Sequence, residues 1–261
     1  MNYPVSFTLL ICIAFIWVGS IAAVEYDENL IIYFDYEEFN GDTVPDMSGH
    51  GHDGKINGNV KQVENGKRGK AAKFATGSFL DLDGPNIPKD DIPVEAITVA
   101  AWINCEKTGD HHAIFNARAN DQTWVVHPEL RSDTGNFRWL LRANGSVTIF
   151  DMKGGTAKYD EWIHFAGTYS VDAGLGILYI NGENVQEMPG KQKIAGDWGM
   201  GARVGYNIDN ARPFTGLMDD LCVWKKALTQ DEIKDLMENG PQPMAVSKKD
   251  KIAIIWGRLK G

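Results

Sequence analysis

The chain is predicted to be all-β, a two-sheet sandwich or barrel with one short helix near its C-terminus. Three observations carry that prediction. Between Glu25 and Trp224 there is no long helical period, only about ten short apolar runs, each bounded by turn residues. Glycine is abundant, 28 of 261 residues, which suits many tight turns. A single complete helix signal stands after the last run. The absence of interleaved helices argues against parallel βαβ units, and no fixed internal period suggests a propeller or solenoid.

The predicted strands cover residues 30–34, 71–74, 97–103, 124–127, 137–142, 147–150, 162–169, 176–180, 203–206 and 217–224. Asn144-Gly145 joins two of them as a tight hairpin, and Asn181-Gly182 follows another in the same way. The helix starts at a capping box, with Thr229 as N-cap and Glu232 reaching back from the third helical position. Leu228 and Ile233 can form a hydrophobic staple around it, and Gly240-Pro241 stops it.

Composition narrows the function classes. Lys and Arg number 26 against 35 Asp and Glu, a formal charge of −9. An acidic chain without a basic run lacks the electrostatic footprint of a nucleic-acid partner. No P-loop or dinucleotide fingerprint is present, so no nucleotide is expected.

Residues 2–24 carry no charge, and an apolar run over 7–18 is followed by Gly19-Ser20 and the small residues Ala22 and Ala23. That is the layout of a secretory signal peptide over 1–23, although no Lys or Arg precedes the run. An uncleaved anchor is the alternative and the only expected contact with a membrane. Either places the chain outside the cytoplasm, secreted or in the cell envelope. In an exported protein Cys105 and Cys222 could form a disulfide or remain two buried thiols. Residues 24–240 read as one domain and 241–261 as a linker with a short tail ending in an apolar-Trp-Gly-basic run. That ending is similar to those of some exported bacterial proteins, which implies sorting; an edge strand or an unstructured end is the alternative.

Four segments, taken in order, carry a family resemblance. They are Tyr33-Phe-Asp-Tyr-Glu37 with Asp46-Met-Ser-Gly-His-Gly-His-Asp-Gly54; Gly66-Lys-Arg-Gly-Lys-Ala-Ala-Lys-Phe74 with Ile97-Thr-Val-Ala-Ala-Trp-Ile103; Trp162-Ile-His-Phe-Ala-Gly-Thr-Tyr169 with Leu178-Tyr-Ile-Asn-Gly182; and Phe214-Thr-Gly-Leu-Met-Asp-Asp-Leu-Cys-Val-Trp224 with Ala227-Leu-Thr-Gln-Asp-Glu-Ile233. The set resembles the laminin-G-like domain of the concanavalin A-like lectin/glucanase superfamily. The resemblance implies a two-sheet antiparallel jelly-roll sandwich. The chain departs from the pattern at Asp220, where Glu is usual, and at Cys222, where Arg is usual. Thr108–Glu129 is longer and richer in His than the pattern, which points to something particular to this chain.

A calcium ion is the expected cofactor. Asp46 lies in a loop where Gly49, Gly51 and Gly54 let carbonyl oxygens turn inward, and hard cations take such oxygens. The resemblance implies that Asp35, Asp219 and Asp220 approach this loop. The expected ligand set is therefore Asp35, Asp46, Gly51, Asp219 and Asp220; a metal-free Asp/Gly turn is the alternative. Zinc is disfavoured, because His50, His52, His111 and His112 lie in separate loops with no partner at a fixed offset.

A glycan is the expected ligand. Trp102, Trp162 and Trp224 lie inside strand motifs and read as core, whereas Trp124, Trp139 and Trp198 are unexplained by them. With Arg203 and Tyr206 these are the candidate ligand-binding residues, pairing aromatic faces with hydroxyl-binding groups. A cell-surface or extracellular protein is the alternative partner. Catalysis is not expected. No strand carries the Glu-x-Asp-x-Glu triplet of glucanases, and Asp35–Glu38 and Asp219-Asp220 have the wrong spacing for paired carboxylates.

Overall fold

A computed structural model describes residues 24–244; the expected signal peptide and the tail beyond Met244 lie outside the described residues. The described chain is a sandwich of two antiparallel sheets with one helix. The eight-stranded sheet runs in the order Glu183–Pro189, Leu175–Ile180, Ile163–Ser170, Ala96–Cys105, Gly216–Trp224, Ala71–Phe74, Val60–Val63, with Leu30–Phe34 also on Gly216–Trp224. The nine-stranded sheet runs Val147–Gly154, Phe137–Asn144, Trp124–Leu130, Phe115–Arg118, Gly201–Val204, Phe79–Asp81, Gly54–Asn57, Thr43–Val44, with His112–Ala113 on Trp124–Leu130.

Both expected hairpins are present. Asn144 pairs with Val147 and Ile180 with Glu183, each across two residues. Asn181 and Gly182 have φ of 51° and 76°, the pair of positive values a type I′ turn requires. Strands absent from the sequence reading are short, such as Thr43–Val44, or exposed along nearly their whole length, such as Glu183–Pro189. Neither kind offers an alternating apolar pattern to read.

The two sheets bury a common core that includes Phe34, Phe74, Phe115, Phe137, Phe165 and Phe214. A second apolar layer lies on the outer face of the eight-stranded sheet. Register places Tyr33, Cys222, Ala100, Ala166 and Tyr179 in one row across five strands. The two alanines leave room above the sheet, and the helix Gln230–Asn239 lays Ile233 and Leu236 there. Its capping box is formed as the sequence predicts, with Glu232 N donating to Thr229 Oγ1 and Thr229 N donating to Glu232 Oε2 at 2.8 Å. One outer face is thus roofed by a helix; among the described residues no helix covers the outer face of the nine-stranded sheet.

This packing decides between the two readings of the cysteines and corrects two candidate ligand-binding tryptophans. Cys105 pairs with Gly216 and faces the inter-sheet core, whereas Cys222 pairs with Ala100 under the helix. Five residues of strand separate those registers, roughly 16 Å, well outside disulfide geometry. Both cysteines are free buried thiols. Trp139 has no exposed surface; its Nε1 donates to Thr168 O at 3.1 Å, bridging the two sheets. Its indole fills the space beside Gly167, where an added Cβ would come within 2.5 Å of the ring. Trp198 is also fully buried, packed on Phe115 at 5.7 Å. Neither tryptophan offers a face to a ligand.

Trp139→Ala is expected to cost about 3–5 kcal/mol of stability by opening a cavity between the sheets, read as a lower urea midpoint.

Candidate functional site

Sheet alternation decides what stands on the open face. Val126, Pro128 and Leu130 pair with Leu141, Trp139 and Phe137, which point into the core. His127 and Glu129 therefore point outward, beside Arg138. A register shift between Trp124 and Val126 turns Trp124 to the same open face, opposite Arg118.

Glu129 is the centre of this face and has no solvent exposure. Its Oε1 lies 3.1 Å from Arg131 Nη1 and 3.2 Å from Arg138 Nη1. Its Oε2 lies 2.7 Å from Arg212 Nε and 2.9 Å from His127 Nε2. Burial by itself would raise the Glu129 pKa. The His127 hydrogen bond and the Arg212 and Arg138 charges outweigh it and hold the carboxyl at about 2.

The tautomer of His127 follows from its neighbours. Asn116 Oδ1 accepts Ile208 N at 3.1 Å, so the amide nitrogen of Asn116 faces His127 Nδ1, 3.2 Å away. Nδ1 is then an acceptor, and Nε2 carries the proton donated to Glu129. Burial keeps His127 below the ordinary imidazole pKa, helped by Arg138 and Arg212.

Above this buried layer sits a half-exposed one. The Trp124 ring stacks on His127 at 4.7 Å, and the Arg212 guanidinium lies over Trp124 at 4.5 Å. Trp124 Nε1 donates to Asp209 Oδ2 at 3.2 Å, and Arg142 lies 6.0 Å from the same ring. Arg212 has φ +58° and Asn210 φ +56°, left-handed backbone that L side chains adopt at a cost. Arg203 and Tyr206 hold this loop in place. Arg203 Nη1 donates to Asn207 O at 3.3 Å and Asn210 Oδ1 at 3.1 Å, and Tyr206 Oη donates to Asn210 O at 2.8 Å.

Of the sequence candidates, Trp124, Arg203 and Tyr206 meet on this face. Arg138, next to Trp139 in the sequence and able to bind hydroxyls, joins them, whereas His127, Glu129 and Arg212 lie in no motif. The one signal was the unusual length and His content of Thr108–Glu129, which contains two of them.

The expected calcium ligands are employed otherwise. Asp46 Oδ1 accepts Tyr33 N and Ser48 N at 2.9 and 3.0 Å; Oδ2 accepts Ser48 Oγ and His52 N at 2.8 and 2.9 Å. Four donors already face that carboxylate. Asp220 has φ +46° at a bulge in the strand Gly216–Trp224, where it ion-pairs with Arg68 and accepts Tyr33 Oη at 2.8 Å. Asp219 Oδ2 accepts Arg68 N at 2.9 Å, and burial with the neighbouring Asp220 charge pushes its pKa up to about 7. Asp35 Oδ1 accepts Glu37 N at 3.0 Å. These carboxylates are engaged by backbone N–H groups, by Tyr33 and by Arg68. Gly51, with φ +79°, serves the turn. Among the described residues, the one His/Cys/Asp/Glu group with convergent ligand atoms is His50, His52 and Asp91.

A family model described as Laminin_G_3, concanavalin A-like lectin/glucanases superfamily, matches residues 82–234. The chain belongs to this superfamily. The match takes in the Glu129 cluster, from Asn116 to Arg212. Solved structures share the fold. The binding domain of Paraclostridial Mosquitocidal Protein 1 is 16% identical, with a TM-score of 0.60, over 80% of this chain and 52% of that one. The receptor-binding domain of botulinum neurotoxin C/D mosaic serotype is 19% identical, with a TM-score of 0.58, over 81% and 51%. The chain thus spans about half the length of these two toxin domains. Domain 4 of AbnA, an extracellular arabinanase from Geobacillus stearothermophilus solved with arabinotriose, is 21% identical, with a TM-score of 0.56, over 80% and 98%. No curated protein is similar enough in sequence to count as a relative.

Glu129→Gln is expected to cost about 3–5 kcal/mol at neutral pH, because three guanidinium groups lose their buried counter-charge. The Glu129 pKa is depressed in the fold, so its contribution is complete above 4.5 and is lost as pH falls to about 2. Urea midpoints of the variant should therefore decline less steeply than wild type across that window.

Proposed function

We propose that the chain is an exported, non-catalytic binding domain that takes a glycan on the open face of the nine-stranded sheet. The observation that carries this reading is Arg212. It sits in left-handed backbone, pairs with a fully buried carboxylate and lies over a half-buried tryptophan. Strained backbone and a buried charge both oppose folding, and such features gather where a surface must be held in one geometry. An indole flanked by guanidinium groups supplies an apolar platform for pyranose or furanose C–H groups and donors for hydroxyls or a sugar carboxylate. The arabinotriose bound by a similar domain supports the same ligand class.

The non-catalytic part rests on Glu129. It is shielded from solvent and holds no proton to donate at neutral pH, so it does not serve as a general acid. Export rests on the charge-free N-terminal segment alone.

A protein partner is the second reading. The sheet-edge strand Glu183–Pro189 is exposed along nearly its whole length and could pair with an added strand, although Glu183 and Glu187 discourage indiscriminate pairing.

Purified chain on an array of neutral and acidic oligosaccharides, arabinotriose included, should retain at least one glycan class. Trp124→Ala and Arg212→Ala should each weaken it about tenfold, roughly one stacking or charge-assisted contact, with the thermal midpoint little changed for Trp124→Ala. Retention of no glycan, or binding unaltered by both substitutions, would defeat the glycan reading. Turnover of any retained sugar would defeat the non-catalytic one.

A further inference from the structure

We propose a transition-metal site, fitted to Zn2+, formed by His50 and His52, in the loop between the strands Thr43–Val44 and Gly54–Asn57, and Asp91. His50 Nδ1 lies 3.0 Å from Asp91 Oδ1, and His52 Nε2 lies 3.0 Å from Asp91 Oδ2. All three ligand atoms fall within 4.8 Å of one another. Zinc bonds of 2.0–2.1 Å in a tetrahedron set neighbouring ligand atoms about 3.3 Å apart, so an ion fits after small side-chain shifts.

The two halves of the site are built independently. Gly49 and Gly51, with φ of +93° and +79°, bracket His50, while His50 N donates to Ser48 Oγ and His52 N to Asp46 Oδ2. The imidazoles are thereby offered side by side, their ring centres 6.0 Å apart. Asp91 comes from a separate turn closed by Asp91 N donating to Pro88 O at 2.9 Å. The ligand side chains are 21%, 7% and 13% exposed, a partly dehydrated site that solvent still reaches.

The donor set selects the ion. Two imidazoles and one carboxylate suit Zn2+, and by the usual affinity order Co2+, Ni2+ and Cu2+, but not Ca2+, which wants six to eight oxygens. Lys225 Nζ lies 3.7 Å from Asp91 Oδ1 and donates to Asp90 O at 2.9 Å. Ligation through Asp91 Oδ2 leaves Oδ1 to that ammonium. Three protein ligands leave a fourth position open, and a shallow hollow beside His52, reaching Asp83 and Asn86, gives water access to it. Binding staples the 46–54 loop to the 88–92 turn.

The test is titration of the metal-free full chain with Co2+, followed by displacement with Zn2+. One Co2+ per chain with visible d–d absorption, abolished by one equivalent of Zn2+, is expected, along with a Zn2+-dependent rise in thermal midpoint. Asp91→Asn, His50→Gln and His52→Gln should each weaken Co2+ binding at least tenfold. His111→Gln, in a different loop, should leave it unchanged. Circular dichroism without metal checks that each variant folds, and Asp91→Asn, nearly isosteric, carries the test if a histidine variant does not. Absence of the absorption band, or an affinity unmoved by substitution of the three ligands, would overturn the site.

Discussion

The central strands of the eight-stranded sheet are buried on both faces, by the inter-sheet core on one side and by the helix Gln230–Asn239 on the other. Covering the second face requires small residues where the helix lands, and Ala100 and Ala166 supply them. It also requires the helix end to be tied down. Arg68 Nη1 and Trp102 Nε1 both donate to Met237 O, at 2.9 and 3.3 Å, while Arg68 is itself held by Asp219 and Asp220. The paired aspartates that look like metal ligands in sequence are thus part of the clamp that fastens the helix. With that face closed, the outer surface of the nine-stranded sheet is left to carry polar chemistry.

What it carries is unusual for a sheet surface. A carboxylate without solvent exposure loses most of its hydration, and only close, hydrogen-bonded charges offset that loss. Glu129 has Arg131, Arg138, Arg212 and His127 around it, and Arg138 is also paired with Asp151 at 2.7 Å. An apolar cluster of the same volume is often as stable as such a network. Its retention on the one unroofed face, beneath a tryptophan and a strained loop, is more readily understood as fixing the position of surface groups than as stabilising the core.

The Asp46 loop shows how one composition serves different ends. Aspartate and glycine together suit a calcium cradle, yet the same pairing suits a turn in which a carboxylate collects backbone N–H groups. Four donors surround the Asp46 carboxylate and brace the turn. The same loop holds His50 and His52 side by side.

The sequence by itself determined the all-β class, the two hairpins, the capped helix and the membership in the superfamily, because these depend on local periodicity, turn chemistry and motifs read in order. It placed Trp124, Arg203 and Tyr206 among the candidates, since large aromatics and arginines outside the core motifs stand out in a linear reading. It did not separate Trp124 from Trp139 and Trp198. Which face a strand residue takes depends on register, and a bulge beside Trp124 reverses the simple alternation. Tertiary structure alone joined Glu129 to Arg212, and Asp91 to His50 and His52. Those partners are distant in sequence, and no spacing rule connects residues brought together only by the folding of separate strands and loops.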